Sequence, residues 1–307
     1  MTTAAIAWPM KTREQQHVIW DSTRWNDFRF RDDDIIIATW SKAGTTWLQQ
    51  MVAQLVFEGA DDVYGQAISP WIDFRLTPDA SEIAEAQTHR RFMKTHLPLD
   101  ALVFSPKAKY LYVARDVRDV VFSMFHHQHL FTPGAYEAFN GVPGRVGPLL
   151  GHAPDDVREY YRIFMEEGRL PGMFEHGFWA HVQGWWDART LPNVLLVHYA
   201  NLKSDLAGEM RRMADFLDID IPGVLWPKIL DHCGIEYMRG QAAKWTLLEM
   251  MFEGGGNTFI NKGVNGRWKD VLSASEIARA DELSAANLTP DCAHWLKTGE
   301  LRAWGTA

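Results

Sequence analysis

The chain has 307 residues, of which 47% are hydrophobic and 23% are charged, as is typical of a globular protein large enough to bury a sizeable core. Its net charge of −8 argues against bulk binding to nucleic acid, which requires a basic face. An anionic ligand would therefore need a locally basic pocket.

Cysteine content and hydropathy predict a cytoplasmic protein. The only cysteines, Cys233 and Cys292, are too few for a disulfide framework and offer no metal-spaced pair. Residues 1–20 are interrupted by Pro9 and by charged side chains, so they are not expected to form a signal peptide. No apolar run approaches the roughly 20 residues that cross a bilayer, so no membrane association is expected.

The first predicted elements are a strand and a helix, which follow an irregular lead-in at residues 1–31. An acidic triplet at 32–34 is expected to be a solvated strand entrance. Residues 35–37 (Ile-Ile-Ile) form a β-branched run, as expected of a strand buried on both faces. Apolar residues then recur at helical spacing, which predicts a helix over 45–58.

A short polar loop with a lysine separates this strand from this helix. Its residues are Ser41, Lys42, Ala43, Gly44, Thr45 and Thr46. Such a loop directs free backbone N–H groups and the positive end of a helix at one point, which suits a phosphate. An ordinary strand-to-helix turn is the alternative. The loop is not a Walker A motif, because the lysine precedes the glycine.

The next two predicted strands, 92–95 and 109–115, end at basic or titratable residues. Lys94 lies on the first of them, and His96 follows it just before a proline. Arg115 ends the second strand and leads into a helix. Ligands of open α/β sheets bind outside the carboxyl ends of the strands, so His96, Lys94 and Arg115 are candidate site residues. A structural histidine is the alternative for His96.

The middle of the chain alternates between helices and a further strand. Residues 131–154 are rich in Gly and Pro and are predicted to form a long lid or binding loop. Helices are predicted over 155–167 and 177–189, a strand over 193–199, and a helix over 204–217 with Ser204 as its N-cap. This alternation predicts one α/β domain with a parallel sheet covered by helices.

The last third of the chain is less regular. A flexible turn is expected at 254–257. Beyond it, Gly263 and Gly266 lie in a basic segment, with Lys262 and Arg267 beside them, that could surround a phosphate. Ser273 and Glu276 form a capping box that predicts a helix to about residue 287. His126 and His129 could share a metal ion, but no third ligand has matching spacing, so no metal site is predicted.

Four of these segments resemble, in the same order, motifs of the PAPS-dependent cytosolic-type sulfotransferases (PAPS is 3′-phosphoadenosine 5′-phosphosulfate). The similar segments are 42–47 (5′-phosphosulfate loop), 94–98 (catalytic strand), 112–123 (3′-phosphate segment) and 262–269 (C-terminal phosphate loop). The resemblance runs from about residue 32 to 270. It implies a single domain at 1–307, with a core at about 32–290 and a P-loop-like phosphosulfate site. The implied reaction is transfer of a sulfuryl group from PAPS to a hydroxyl or amine of a small acceptor. PAP would be released, and no metal would be required.

The resemblance also implies roles for individual residues. His96 would be the general base on the acceptor hydroxyl, Lys42 would stabilise the leaving oxygen of PAP, and Lys94 would lie beside the transferring group. The donor would be bound by Lys42, Ala43, Gly44, Thr45, Thr46, Trp47, Arg115, Ser123, Tyr199, Asn261, Lys262 and Gly263. The candidate walls of an aromatic acceptor pocket are Trp71, Phe74, Phe131, Tyr136 and Phe139.

Two positions depart from the motifs of this family. Asn261 stands where arginine is usual, so either the 3′-phosphate is held more weakly or Arg267 substitutes, because arginine binds phosphate bidentately. Ile235 stands where an aromatic residue commonly packs on the adenine. These departures leave open a catalytically weak PAP/PAPS-binding protein. A P-loop-type small-molecule kinase also stays open, because it shares the opening strand, loop and helix. The identity of the acceptor is not specified, and a homodimer is compatible with the sequence.

Overall fold

A parallel four-stranded sheet forms the centre of the fold. The computed structural model describes residues 6–168 and 177–301, so the ends of the predicted domain lie outside the described residues. The strands are β1 (Ile35–Thr39), β2 (Phe92–Thr95), β3 (Lys109–Ala114) and β4 (Val194–His198). They lie in the order β2-β1-β3-β4, and every neighbouring pair is parallel. The predicted α/β fold with a central parallel sheet is confirmed.

Helices cover both faces of this sheet. The α-helices of the described residues are α1 (Thr45–Val56), α2 (Gly65–Ile68), α3 (Ala80–Glu85), α4 (Val117–His129), α5 (Pro133–Asn140), α6 (Val157–Glu167), α7 (Phe178–Asp187), α8 (Tyr199–Ser204), α9 (Leu206–Leu217), α10 (Trp226–His232), α11 (Ile235–Ala242), α12 (Thr246–Met251), α13 (Gly255–Phe259), α14 (Ala274–Asn287) and α15 (Pro290–Thr298). Short 3₁₀ helices lie at Ser22–Trp25, Leu99–Ala101, Ala188–Thr190 and Gly223–Leu225. None of these helices combines the length and apolar character that a membrane crossing needs.

The side chains of β1 alternate between two apolar layers. Ile35 and Ile37 pack in one layer with residues of α1 and α9, whereas Ile36 packs in the other with residues of α4 and α7. All three isoleucines are fully buried. The unbroken apolar run of this strand therefore reflects burial on both faces, as in other parallel sheets.

Two segments that the sequence predicted to be irregular each contain a short helix. α5 lies within residues 131–154, where the side chain of Thr132 accepts a hydrogen bond from the Ala135 N–H at 3.1 Å and Pro133 occupies the first turn. α13 occupies the predicted turn at 254–257 and follows Gly254, whose φ is 75°. The predictions were wrong at Pro133–Asn140 and Gly255–Phe259, because these helices are short and glycine- or proline-rich and so have little apolar periodicity. Residues 141–154 are irregular, as predicted.

The predicted N-caps in the second half had different outcomes. Ser204 ends α8, and the Asp205 carboxylate instead caps α9 by accepting a hydrogen bond from the Gly208 N–H at 2.8 Å. The predicted cap was wrong by one residue. The capping box of Ser273 and Glu276 is confirmed at the start of α14.

A buried ion pair joins the entrances of β1 and β2. The side chains of Asp34 and Arg91 are 1% and 2% exposed, and Arg91 Nε donates to Asp34 Oδ1 at 2.8 Å. The prediction of a fully solvated acidic triplet was therefore wrong for Asp34. Its carboxylate is a structural group of the sheet.

Replacing Arg91 with methionine is expected to lower the free energy of unfolding by about 3–5 kcal/mol, because it leaves the Asp34 carboxylate buried without its cation. Arg279 pairs with Glu282 on the exposed face of α14, so Arg279→Met should cost less than about 1 kcal/mol. Urea unfolding followed by circular dichroism measures both. Similar losses in the two variants would contradict a structural role for the buried pair.

Candidate active site

A cavity of about 760 Å³ lies at the carboxyl-terminal edge of the sheet. Residues that follow each of the four strands reach its wall: Lys42 after β1, His96 after β2, Arg115 after β3 and Tyr199 after β4. The sequence-predicted residues found on this wall are Lys42, Gly44, Thr45, Thr46, Trp47, Trp71, Phe74, Lys94, His96, Arg115, Ser123, Phe131, Phe139, Tyr199, Asn261, Lys262 and Gly263. The fold thus gathers segments that are far apart in the chain around one cavity.

Two predicted site residues do not line the cavity. The side chain of Ala43 lies in the core, and its N–H donates to the Trp40 carbonyl at 3.2 Å. The Tyr136 hydroxyl donates to the Gln128 carbonyl at 3.4 Å, and its ring lies 4.1 Å from that of His152. Tyr136 therefore lies behind the wall, where its ring packs 5.7 Å from that of Phe131, whereas Phe139 of the same helix lines the cavity.

The loop between β1 and α1 has the geometry of an anion site. Lys42 and Gly44 have φ angles of 67° and 125°. A Cβ atom on Gly44 would lie 2.9 Å from Tyr199 Cδ2, so this position requires glycine. No side chain caps α1, which leaves the N–H groups of its first turn available to a ligand at the positive helix end.

Arg115 joins the end of β3 to the loop that follows α13. Its Nε donates to Asn265 Oδ1 at 2.9 Å, and its Nη2 donates to the Val264 carbonyl at 2.8 Å. The Gly266 N–H donates to Asp119 Oδ1 at 2.7 Å, which adds a second contact between the two segments. The two segments that resemble a 3′-phosphate site therefore form one continuous surface.

Asn261 carries no guanidinium, but two arginines, Arg239 and Arg267, belong to the same part of the structure. The Asn261 carbonyl accepts a hydrogen bond from Arg239 Nη2 at 3.3 Å. Arg267 lines the cavity, and within the described residues it makes no hydrogen bond or ion pair. Burial, and then the charge of Arg115, lower the pKa of Arg267. The Arg267 guanidinium therefore faces the cavity without a partner among the described residues. It belongs to the loop in which arginine was expected at position 261.

Cations in this cavity repel one another. Burial lowers the pKa of Lys42 to about 7, with further contributions from Lys94, Arg115 and Arg267. Burial also lowers the pKa of Lys94 to about 8, and its Nζ lies 4.1 Å from the centroid of the Trp71 ring. Among the described residues, no carboxylate forms an ion pair with either lysine. A polyanionic ligand would relieve the repulsion on Lys42 and would favour the charged form of both lysines.

His96 has the protonation state of a general base. Its Nδ1 lies 2.7 Å from the Thr39 carbonyl oxygen, which can only accept, so Nδ1 carries the proton and Nε2 is left unprotonated. Burial, followed by the charge of Lys94, holds the pKa of His96 well below 6.5. The imidazole is therefore neutral at neutral pH, with one ring nitrogen free to accept a proton.

Most of the remaining wall is apolar, and much of it was missed by the sequence prediction. The rings of Trp71 and Phe74 are stacked, with their centroids 4.3 Å apart and an interplanar angle of 3°. The unpredicted members include Ile19, Trp20, Ile83, His127, Trp245, Leu247, Leu248, Met251, Phe252 and Phe259. Most come from the N-terminal lead-in or from α12 and α13, where the sequence shows no motif.

His126 and His129 of α4 are the two histidines at which no metal site was predicted. His129 Nδ1 lies 2.9 Å from the Phe125 carbonyl, within its own helix. Throughout the part of the chain that the structure describes, no group of three His, Cys, Asp or Glu side chains is placed to hold a metal.

Several known proteins similar to this chain are sulfotransferases. A family model described as "Sulfotransferase domain" matches residues 32–290. A "Glycolipid sulfotransferase" of Mycobacterium bovis (strain BCG / Pasteur 1173P2) is 33% identical over 309 residues, which cover 91% of this chain and 92% of that protein. "Sulfotransferase 1C2" of Oryctolagus cuniculus is 28% identical, with 83% of each chain covered. The crystal structure of mouse sulfotransferase SULT7A1 complexed with PAP has a TM-score of 0.68 at 22% identity, covering 89% of this chain and 90% of that one, and shares the fold.

Proposed function

This chain belongs to the sulfotransferase family, and we propose that it transfers the sulfuryl group of PAPS to the hydroxyl of a small apolar or aromatic acceptor. One observation carries this proposal. A single cavity contains an anion-binding loop with Lys42, a neutral histidine with a free ring nitrogen, and an aromatic wall. Its residue types match what the transfer of a sulfuryl group to a hydroxyl requires.

The donor fits the basic part of the cavity. In this proposal the 5′-phosphosulfate binds at Lys42 and at the first turn of α1. The 3′-phosphate binds at the continuous surface of Arg115 and the loop after α13, together with Ser123, Lys262 and Gly263. Trp47 and Tyr199, whose ring centroids are 5.3 Å apart, border the adenine. Arg267 supplies the guanidinium that Asn261 cannot.

The reaction needs charge stabilisation and one proton transfer. His96 Nε2 accepts the proton of the acceptor hydroxyl while the acceptor oxygen forms its bond to sulfur. The bond between sulfur and the oxygen of the 5′-phosphate breaks, and its electron pair stays on that oxygen, where Lys42 stabilises the negative charge of the departing PAP. Lys94 lies beside the sulfuryl oxygens. As in phosphoryl transfer through a loose transition state, positioning and electrostatics supply most of the rate enhancement.

The cavity wall favours an uncharged, apolar acceptor. Among the described residues that form it, none is an aspartate or a glutamate, so nothing there would balance a protonated amine. Ile83 and Leu247 line the cavity and are 43% and 41% exposed, which gives the cavity an apolar rim. The name of the Mycobacterium bovis relative specifies a glycolipid acceptor, which also combines hydroxyls with apolar chains. A neutral alcohol or phenol with an apolar body fits this wall best.

The proposal is tested with ³⁵S-labelled PAPS and three matched acceptors: phenol, 4-butylphenol and 4-butylbenzylamine. We expect label transfer to both phenols, with kcat/KM rising by about fourfold for each methylene that becomes buried, at about 0.8 kcal/mol each. PAP should raise the melting temperature, whereas ATP with Mg²⁺ should not.

Each alternative function has its own outcome in the same assays. Stabilisation by ATP with Mg²⁺, together with phosphate transfer, would establish a kinase. Stabilisation by PAP without transfer to a broad library of hydroxyl compounds would establish a binding protein. Preference for the amine would contradict the proposed acceptor class but not sulfuryl transfer.

A further inference from the structure

We infer that His127 is a positioning residue for sulfuryl transfer, which holds the Lys42 ammonium through its imidazole. The Lys42 Nζ lies 3.2 Å from His127 Nδ1, which is hydrogen-bond distance. His127 belongs to α4, one helical turn after Ser123, and lies in the cavity wall. The inference rests on the proposed function, because it assigns Lys42 to the leaving oxygen of PAP.

Three aromatic rings fix the imidazole of His127. The ring centroids of Phe131, Phe252 and Phe259 lie 5.1, 4.8 and 5.8 Å from it. Lys42 Nζ also lies 5.1 Å from the centroid of the Phe259 ring. The histidine is therefore a fixed anchor, whereas a lysine has a flexible four-carbon side chain.

The direction of this hydrogen bond follows from the chemistry of its two groups. In its charged form Lys42 is an ammonium that can only donate, so His127 Nδ1 then accepts and the ring proton lies on Nε2. Burial, and then the charges of Lys42 and Lys94, hold the pKa of His127 well below 6.5, so the acceptor persists at neutral pH. The other titratable groups around the pair are His96, His126, Arg115 and Arg267.

A neutral acceptor suits a lysine that must serve a departing anion. A carboxylate in this place would compete with the phosphate for the ammonium and would repel the donor. His127 accepts one N–H of Lys42 and adds no charge, which leaves two N–H groups for the phosphosulfate. Lys42 is thereby directed without being neutralised.

Two substitutions separate the hydrogen bond from the packing. His127→Phe keeps an aromatic ring and removes the acceptor, and we expect kcat to fall by about 10- to 100-fold, since misplacement of a catalytic group by about 1 Å can cost this much. His127→Asn places Oδ1 where Nδ1 was, and we expect it to recover most of the lost kcat. His126→Phe changes the neighbouring histidine, which does not line the cavity, and should leave kcat nearly unchanged.

The pH dependence of PAP affinity gives a readout that packing alone would not change. Loss of the acceptor disfavours the ammonium, so the pH above which PAP affinity declines should move down in His127→Phe and return in His127→Asn. Wild-type kcat in His127→Phe, or no recovery in His127→Asn when both variants melt like the wild type, would overturn the inference.

Failure of the proposed function would have a different signature. If the wild type binds PAP but transfers no sulfuryl group, the affinity profiles of the two variants still decide whether His127 holds Lys42. If the wild type does not bind PAP, the proposed function is wrong, and the inference is overturned with it.

Discussion

Replacing His96 with alanine is expected to lower the rate of sulfuryl transfer by about 10²–10⁴-fold, which is the usual contribution of a general base. PAP affinity should change little, because His96 is assigned to the acceptor hydroxyl and not to either phosphate. Initial rates with labelled PAPS and calorimetric titration with PAP measure the two quantities. A large loss of transfer with PAP binding retained would identify His96 as the base.

Two further variants guard against a purely structural explanation. His96→Gln preserves a donor for the Thr39 carbonyl but cannot accept a proton, so it should be almost as inactive as His96→Ala. His129→Ala removes an exposed histidine of α4 and should transfer at the wild-type rate. Near-normal transfer by either His96 variant would rule out the assigned role.

The pH profile provides an independent check on the same residue. Because the pKa of His96 is held well below 6.5, the folded enzyme keeps this imidazole unprotonated as the pH falls to 6.5. Protonation of His96 should therefore cause no loss of rate on the acid side within this range. The same shift makes the folded protein less stable at lower pH, since histidine in the unfolded chain then takes up a proton that the folded chain excludes.

The sequence was most informative about the sheet and the donor side of the site. β1 could be predicted because a strand covered on both faces must be apolar at every position, and its three isoleucines are. Lys42, His96 and Arg115 could be placed together because the carboxyl ends of parallel strands share one edge. That argument depends on topology alone and needs no knowledge of side-chain contacts.

The acceptor side was less predictable for a physical reason. Trp20 comes from an irregular lead-in and Phe259 from a glycine-rich helix, and neither segment has a periodicity that reveals where it packs. The hydrogen bond between Lys42 and His127 depends on the rotation of α4 about its own axis relative to the loop between β1 and α1. Sequence patterns do not determine that rotation to within one residue. Four of the five predicted wall residues, Trp71, Phe74, Phe131 and Phe139, do line the cavity, but the members that the lead-in and the glycine-rich helix contribute could not be predicted.

Replacing Lys42 with methionine is expected to lower the rate of transfer by about 10²–10³-fold, which is the cost of removing one donor from a developing negative charge. Unlike the His96 variants, it should also weaken PAP binding by about 10- to 100-fold, since it removes a charged hydrogen bond to the 5′-phosphate. The same rate and calorimetric assays measure both effects. Unchanged PAP affinity in Lys42→Met would exclude the loop as the 5′-phosphate site.

The sign of the pH effect follows from the shifted pKa of Lys42. Below its pKa of about 7, Lys42 is charged in the free enzyme, so it adds no pH dependence to PAP binding. Above pH 7 the free lysine is neutral and the bound phosphate draws a proton onto it, so affinity falls by up to about tenfold per pH unit. Phosphate, with a second pKa of about 6, is already ionised in this range. Lys42→Arg stays charged throughout and Lys42→Met is never charged, so both variants should lose the part of the alkaline decline that begins near pH 7.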